Sequence, residues 1–292
     1  MRIMRKKKSA YSLTDTLTNF LSAPVKWVVL SYLLVSVLFP LYWLFTSAIK
    51  LPGDLIRNPP VMIPTTITME NFVNIFERHG ALRGFANTAT VAVVTTIICM
   101  LFGSMAAYAI VKGPMTKKLR NFFAMWFMIQ RMYPAISIAI PVYVVMQNLN
   151  LIDTQLALII MYTSFNLPLV VWLMIGFFQD VPAEIEQSGI VDGCNMWQRY
   201  WKLAMPITKP GLIASGILTF VGAWNEFLFA ALLSLNRARP LSVSIAGFIT
   251  DMGLEWGPMS AMAALLTLPV IVVVWLMQKN FVAGLSMGSV KE

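Results

Sequence analysis

The sequence predicts an all-α polytopic membrane protein with six spanning helices. Three observations predict it. The 292 residues are 58% hydrophobic and only 12% charged, where soluble domains carry about 25% charged residues. Several apolar runs exceed the roughly 18 residues that mark a membrane span. The lysines and arginines behind the formal charge of +9 cluster in short loops beside those runs. That is a topology signal, and it argues against nucleic acid as a partner.

A basic tail, residues 1–26, opens the chain with Arg2, Arg5, Lys6, Lys7 and Lys8. The first apolar run, Trp27 to Ile49, starts late and is long. It lacks a small-residue cleavage site before Lys50, so it reads as an uncleaved span and not as a signal peptide. Residues 51–87 form a polar loop with Pro52, Pro59, Pro60 and Pro64. A short helix is expected near Met69 to Arg78, with Thr68 as its cap and Glu70 in its first turn.

Thr88 to Val111 is the second span. Its Gly103, Ser104, Ala106 and Ala107 offer a surface for close helix packing. A basic loop, Lys112 to Arg120, leads into the third span, Asn121 to Gln147, interrupted by Pro134 and Pro141. Arg131 is expected to be buried there, about 15 Å deep at the helical rise per residue. An arginine at that depth costs about 2.5–3.5 kcal/mol and needs a partner, a cavity or a route to the surface. The fourth span, Gln155 to Phe178, has Asn166 and Pro168 at its middle. The fifth runs from about Ile207 to Leu233. A polar stretch with room for a short helix, Ser234 to Pro258, precedes the sixth span, Met259 to Met277, and a tail, residues 278–292.

Six spans put both ends on one side. Fifteen of the 22 basic residues fall in the loops and tails of that side, six in the opposite loops, and Arg131 in a span. The positive-inside bias makes the richer side cytoplasmic. It also places the polar segment 180–206 in the cytoplasm.

That segment reads as a helix–turn–helix. Asp180 can cap a helix with Pro182 in its first turn. Glu184 and Glu186 then sit near the positive end of its dipole. Gly193 suits the left-handed residue that ends it. Asn195 can cap a second short helix, in which Trp197, Tyr200, Trp201 and Ala204 share one face.

At these residues the sequence resembles the EAA loop of ABC-importer permeases, E-A-A-x3-G-x9-I-x-L-P, in the form used by the carbohydrate-uptake family. Gly193 matches the glycine, and Leu203, Ala204, Met205 and Pro206 match I-x-L-P. Pro182, Glu184, Glu186 and Asp192 match the longer context. The name-giving triplet departs, reading Gln187, Ser188, Gly189. The resemblance extends through NTATVAVV, IPVYVVMQNLNLIDTQLALIIMY and WNEF. The closing FVAGLSMGSVKE resembles the tail of the smaller maltose-type permease subunit, which makes a further contact with the ATPases.

The resemblance implies one permease subunit of a carbohydrate-type importer in a bacterial or archaeal inner membrane. Its implied partners are a second homologous permease, two ATPase subunits and an extracytoplasmic solute-binding protein, besides membrane lipid. Glu184, Glu186, Gln187, Ser188, Gly189, Asp192, Gly193, Leu203 and Pro206 would couple the chain to the ATPases. ATP and Mg would bind those ATPases. No cofactor, metal or catalytic residue is expected in this chain. It has one histidine, two cysteines placed too far apart to pair, and no phosphate-binding loop.

Four polar residues in spans are candidates for a translocation path: Arg131, Asn166, Asn225 and Glu226. On an ideal helix Gly211, Ser215, Gly222, Asn225 and Glu226 share a face roughly opposite Trp224. The same residues could hold helices together. Two other function classes fit the sequence less well. A secondary transporter calls for internal repeats, which are not found. A membrane-embedded enzyme calls for converging acid–base or metal groups, a poor set here.

Overall fold

The computed structural model describes residues 7–250 and 253–287, with side chains from 25 to 249 and from 253 to 277. It is helical almost throughout. Helix α1 (Lys7–Ala48) leads into the short α2 (Pro52–Leu55) and α3 (Glu70–Glu77). Helices α4 (Ala81–Lys112) and α5 (Lys117–Met132) follow, then a 3₁₀ turn (Ala135–Ile138), α6 (Ala139–Asn148) and α7 (Gln155–Gln179). Next come α8 (Ala183–Val191), α9 (Met196–Arg199), a π-helical turn (Tyr200–Ala204) and α10 (Met205–Trp224). After α11 (Leu228–Leu233) and α12 (Leu241–Ala246), an antiparallel pair of two-residue strands, β1 (Ile249–Thr250) and β2 (Gly253–Leu254), precedes α13 (Trp256–Met287).

Five helical stretches are long and apolar enough to cross a membrane. The pair α5 and α6, bent by 90°, makes a sixth if counted as one broken span. The cause of the bend is Pro134, which has no N–H and clashes with a continuing helix.

The centre of the domain is α4 packed along α7, with α10 against both and α13 behind α10. Small residues set the approach. A β-carbon on Gly103 would stand 2.8 Å from Val170, and one on Gly216 would stand 2.6 Å from Met100. Gly103, Ser104 and Ala107 are buried as the sequence led one to expect, and Ala106 is half-buried. Trp224 is also buried, and its Nε1 donates to the Leu266 carbonyl at 2.8 Å.

Several boundaries differ from the sequence reading. The first helix starts at Lys7, within the expected tail. Helix α4 starts at Ala81, so Arg83 lies in a helix and the preceding loop ends at Gly80. Residues 81–87 look like loop by composition, but tertiary contacts make them helical. Asn87 Nδ2 donates to the Arg237 and Arg239 carbonyls, and the Leu241 N–H donates to Thr88 Oγ1. The fifth span stops at Trp224, short of Leu233. Helix α13 continues through Met287, so the expected tail from 278 is helical up to there, and residues 288–292 lie outside the described residues.

One loop anchor had no sequence signal. Asp153, with φ of 61°, accepts the N–H groups of Leu235, Asn236, Arg237 and Ala238 at 2.9–3.1 Å. Burial alone would raise its pKa. The four N–H donors outweigh burial and hold the carboxyl below the usual carboxylate value.

Candidate functional site

Two surfaces carry the polar residues that packing does not consume. The first is the hairpin of α8 and α9. Asp180 does not cap α8: it ends α7, and Pro182 occupies the N-cap position without a side-chain bond. Glu184 and Glu186 are in the first turn of α8 as expected. Gly193 has φ of +76°, which L side chains rarely adopt. Its N–H donates to the Ile190 carbonyl, and the Cys194 N–H donates to the Gly189 carbonyl, the two bonds of a Schellman turn.

Asn195 caps α9 reciprocally. It accepts from the Gln198 N–H, and Gln198 Oε1 accepts from the Asn195 N–H, each at 2.9 Å. Instead of ending as a separate short helix, α9 runs through the π turn into α10. Pro206, which cannot supply an N–H to the preceding turn, accounts for the wider turn before it. The expected aromatic face divides. Tyr200 and Ala204 are buried, while Trp197 and Trp201 are exposed.

Glu186 is the internal fastener of the hairpin. It is 6% exposed, accepts from Arg199 Nη1 at 3.0 Å, and accepts from the Tyr108 hydroxyl at 3.1–3.2 Å. It thereby ties α8 to α9 and to α4. Tyr108 and Arg199 are the residues that sequence reasoning missed, because nothing local links positions so far apart. Gly189 is buried beneath them. A β-carbon there would stand 2.5 Å from Leu203 Cδ1 and 3.2 Å from Arg199 Cγ.

With Glu186, Gly189 and Leu203 facing inward, the outer side of the hairpin presents Glu184, Gln187, Ser188, Asp192 and Gly193, all exposed. Ile190 and Val191 stand among them at 57% and 86% exposure. Pro206 is exposed at the start of α10.

The second surface lies along α7 and α10. Asn225 ends α10, and Glu226 falls in the break before α11, so the ideal-helix face fails beyond Trp224. Both oxygens of Glu226 accept N–H groups, from Phe229 at 2.9 Å and from Ala230 at 3.0 Å. Asn166, on α7, sits against Gly222, where a β-carbon would meet its Oδ1 at 3.0 Å. Asn225 is exposed one helical turn from Gly222. Among the described residues, no hydrogen bond or ion pair brings Arg131 into this group. It is exposed in the last turn of α5, next to the Pro134 break, and not buried in a continuous span as expected.

Among the described residues no group of three or more histidine, cysteine, aspartate or glutamate side chains could hold a metal ion. Cys99 and Cys194 are both free.

Residues 100–286, which contain the whole hairpin and the α7–α10 surface, match the family model described as binding-protein-dependent transport system inner membrane component. The chain belongs to this family. A probable ABC transporter permease protein of Sinorhizobium fredii is 34% identical over 95% of this chain and 98% of its own. A trehalose transport system permease protein of Mycobacterium tuberculosis is 33% identical, over 91% and 97%. A sulfoquinovosyl glycerol transport system permease protein of Agrobacterium fabrum is 29% identical, over 97% and 99%.

The same fold occurs in a solved bacterial ABC transporter involved in the import of the acidic polysaccharide alginate. It has a TM-score of 0.77 at 23% identity, over 90% of this chain and 98% of that one. A second alginate transporter structure, in complex with a pentasaccharide-bound periplasmic protein, has a TM-score of 0.66 at 13% identity, over 96% of this chain and 99% of that one. As an inner membrane component of this family, the chain is a permease, the non-catalytic membrane subunit of an ABC transporter.

Proposed function

We propose that this permease imports a sugar or sugar-like solute, working with a second homologous permease, two ATPase subunits and an extracytoplasmic binding protein. The relatives named for trehalose and sulfoquinovosyl glycerol and the alginate importers of the same fold support the solute class. ATP and Mg bind the ATPases. In this reading both termini and the hairpin are cytoplasmic, in line with the distribution of basic residues.

One observation carries the mechanism. Helix α8 is held from behind by Glu186, Arg199 and Tyr108, and shows solvent a mixed face of Glu184, Gln187, Ser188, Ile190, Val191 and Asp192. An apolar tip on a polar helix suits a cleft in a partner protein better than open water. The hairpin seats in a cleft of one of the two ATPases. The π turn joins it without interruption to α10, so ATPase closure tilts α10, and alternating access follows along the α7–α10 surface. Asn166, Asn225, Glu226 and the exposed Arg131 belong to that path.

The test is site-directed cross-linking. Val191→Cys, in a complex otherwise free of reactive cysteine, should form an adduct with an ATPase subunit through a short bifunctional thiol reagent. The yield should change on ATP binding. Co-purification of an ATPase with adducts only to lipid or to other permease regions would refute the docking assignment.

A further inference from the structure

We propose that Asn166 and Asn225, spaced by Gly222, form a hydroxyl-binding surface for carbohydrate in the transport path, with Phe227 as its aromatic neighbour. The inference rests on the sugar-import reading and assigns its solute contacts.

Both carboxylate oxygens of Glu226 are engaged by the N–H groups of Phe229 and Ala230. Its backbone carbonyl accepts from Ser242 Oγ at 2.8 Å. Glu226 therefore fixes the break between α10 and α11, and its oxygens are not free for a solute. The two asparagines differ. Asn166 Nδ2 donates to the Tyr162 carbonyl at 2.8 Å, and Asn225 Nδ2 donates to the Val221 carbonyl at 2.9 Å. Each amide is thus oriented by the helix carbonyl four residues earlier. In both, the Oδ1 atom accepts no hydrogen bond from the described residues and is not among the buried atoms without a partner.

Two fixed amides with open carbonyl oxygens are a poor lipid-facing surface, since unsatisfied polar groups are costly in hydrocarbon. They are a good surface for sugar hydroxyls, each of which donates one hydrogen bond. Gly222 keeps the pair accessible. It is exposed, and its missing side chain leaves the space in which Asn166 Oδ1 sits. Phe227, two residues after Asn225, is an apolar ring left 49% exposed at the same break. Sugars combine hydroxyl edges with C–H faces, and the two kinds of group match those two kinds of surface.

The proposal separates residues that the sequence grouped. Asn166 and Asn225 contact solute, Gly222 makes room, and Glu226 is a positioning residue that holds Asn225 and Phe227 on either side of a fixed break.

The experiment uses the full complex, co-expressed with its partner subunits in cells lacking other routes of uptake. Asn225→Cys and Phe227→Cys are exposed to a membrane-impermeant, positively charged methanethiosulfonate. Ile97→Cys, on the exposed outer side of α4, is the control. Uptake of trehalose, diacetylchitobiose and sulfoquinovosyl glycerol is measured in parallel for the parent, Asn166→Leu, Asn225→Leu and Gly222→Val.

We expect labelling at 225 and 227 but not at 97. We also expect at least a tenfold fall in uptake of whichever sugar the parent accepts, with the amount of assembled complex unchanged. No labelling at 225 and 227, wild-type uptake by both asparagine variants, or uptake falling only in step with lost complex would each overturn the proposal. If the parent takes up none of the three sugars, the hydroxyl-binding assignment is withdrawn. Labelling at 225 would then still mark a water-lined path, which separates failure of this inference from failure of the transport reading.

Discussion

Removing the Glu186 carboxylate should loosen the hairpin before it affects anything else in the protein. Glu186→Ala leaves the Arg199 guanidinium, with a side chain only 16% exposed, without its counter-ion. It also leaves the hydroxyl of the buried Tyr108 without its acceptor. Breaking a buried pair from one side costs about 3–5 kcal/mol. Some water reaches Arg199, so the lower end applies, about 3 kcal/mol in the same range. That corresponds to roughly a hundredfold rise in local opening, at about 1.4 kcal/mol per tenfold.

Hydrogen exchange of the α8 and α9 amides in the detergent-solubilised complex measures this directly. Protection over 183–199 should fall by about two orders of magnitude, with α4 and α7 unchanged beyond their contact turns. Glu186→Gln keeps one acceptor oxygen for Tyr108 or Arg199, turns the other into an NH2 donor and removes the charge, so its effect should stay below that of alanine, at about 1–2 kcal/mol, the scale of a charge-assisted bond against a neutral one. Glu186→Leu with Arg199→Met should recover much of the loss, because a buried pair replaced whole by apolar groups is often neutral. Unchanged protection in Glu186→Ala, or a double variant as loose as the single one, would refute the assignment of Glu186 as the fastener.

Three further outcomes are expected. Gly193→Val should distort the Schellman turn, since φ of +76° is strained for a β-branched residue. Membrane insertion should persist while ATPase pull-down and transport fall together, and full transport by a fully expressed variant would contradict this. Asp153→Ala should free the 235–238 segment at a cost of about 1.5–3 kcal/mol, the value of hydrogen bonds to a charged group. Because the folded pKa of Asp153 is depressed, its contribution is complete above the unfolded carboxylate pKa and is lost as pH falls through the lower folded value. Proteolysis of that segment against pH should show the loss in the parent and a flat profile in the variant. Lys50→Met should hold or raise the thermal midpoint. Lys50 is fully buried, its Nζ has no hydrogen-bond partner among the described residues, and it lies 4.1 Å from the centre of the Trp43 ring. Burial lowers its pKa, with Asp54 opposing, so the charge is held at a cost that an apolar side chain avoids. A fall of several degrees would show that the cation is needed.

The sequence by itself determined the fold class and the broad place of the spans, because apolar length and loop charge are one-dimensional properties that a bilayer reads directly. It also determined the turn at Gly193 and the cap at Asn195, where the chemistry lies within a few residues of itself. Tertiary structure alone decided the rest. The sequence allowed Glu186 to be a solvated tip, and the arrival of Tyr108 and Arg199 from distant positions made it a buried fastener. Composition read 81–87 as loop, and contacts with the 237–241 segment made it helix. An ideal wheel carried α10 through Glu226. The chain instead breaks after Trp224, where the Glu226 carboxylate caps α11 and leaves Asn225 in the open. Periodicity extrapolates a helix only as far as backbone bonds continue unopposed, and side chains from elsewhere in the fold decide where they stop.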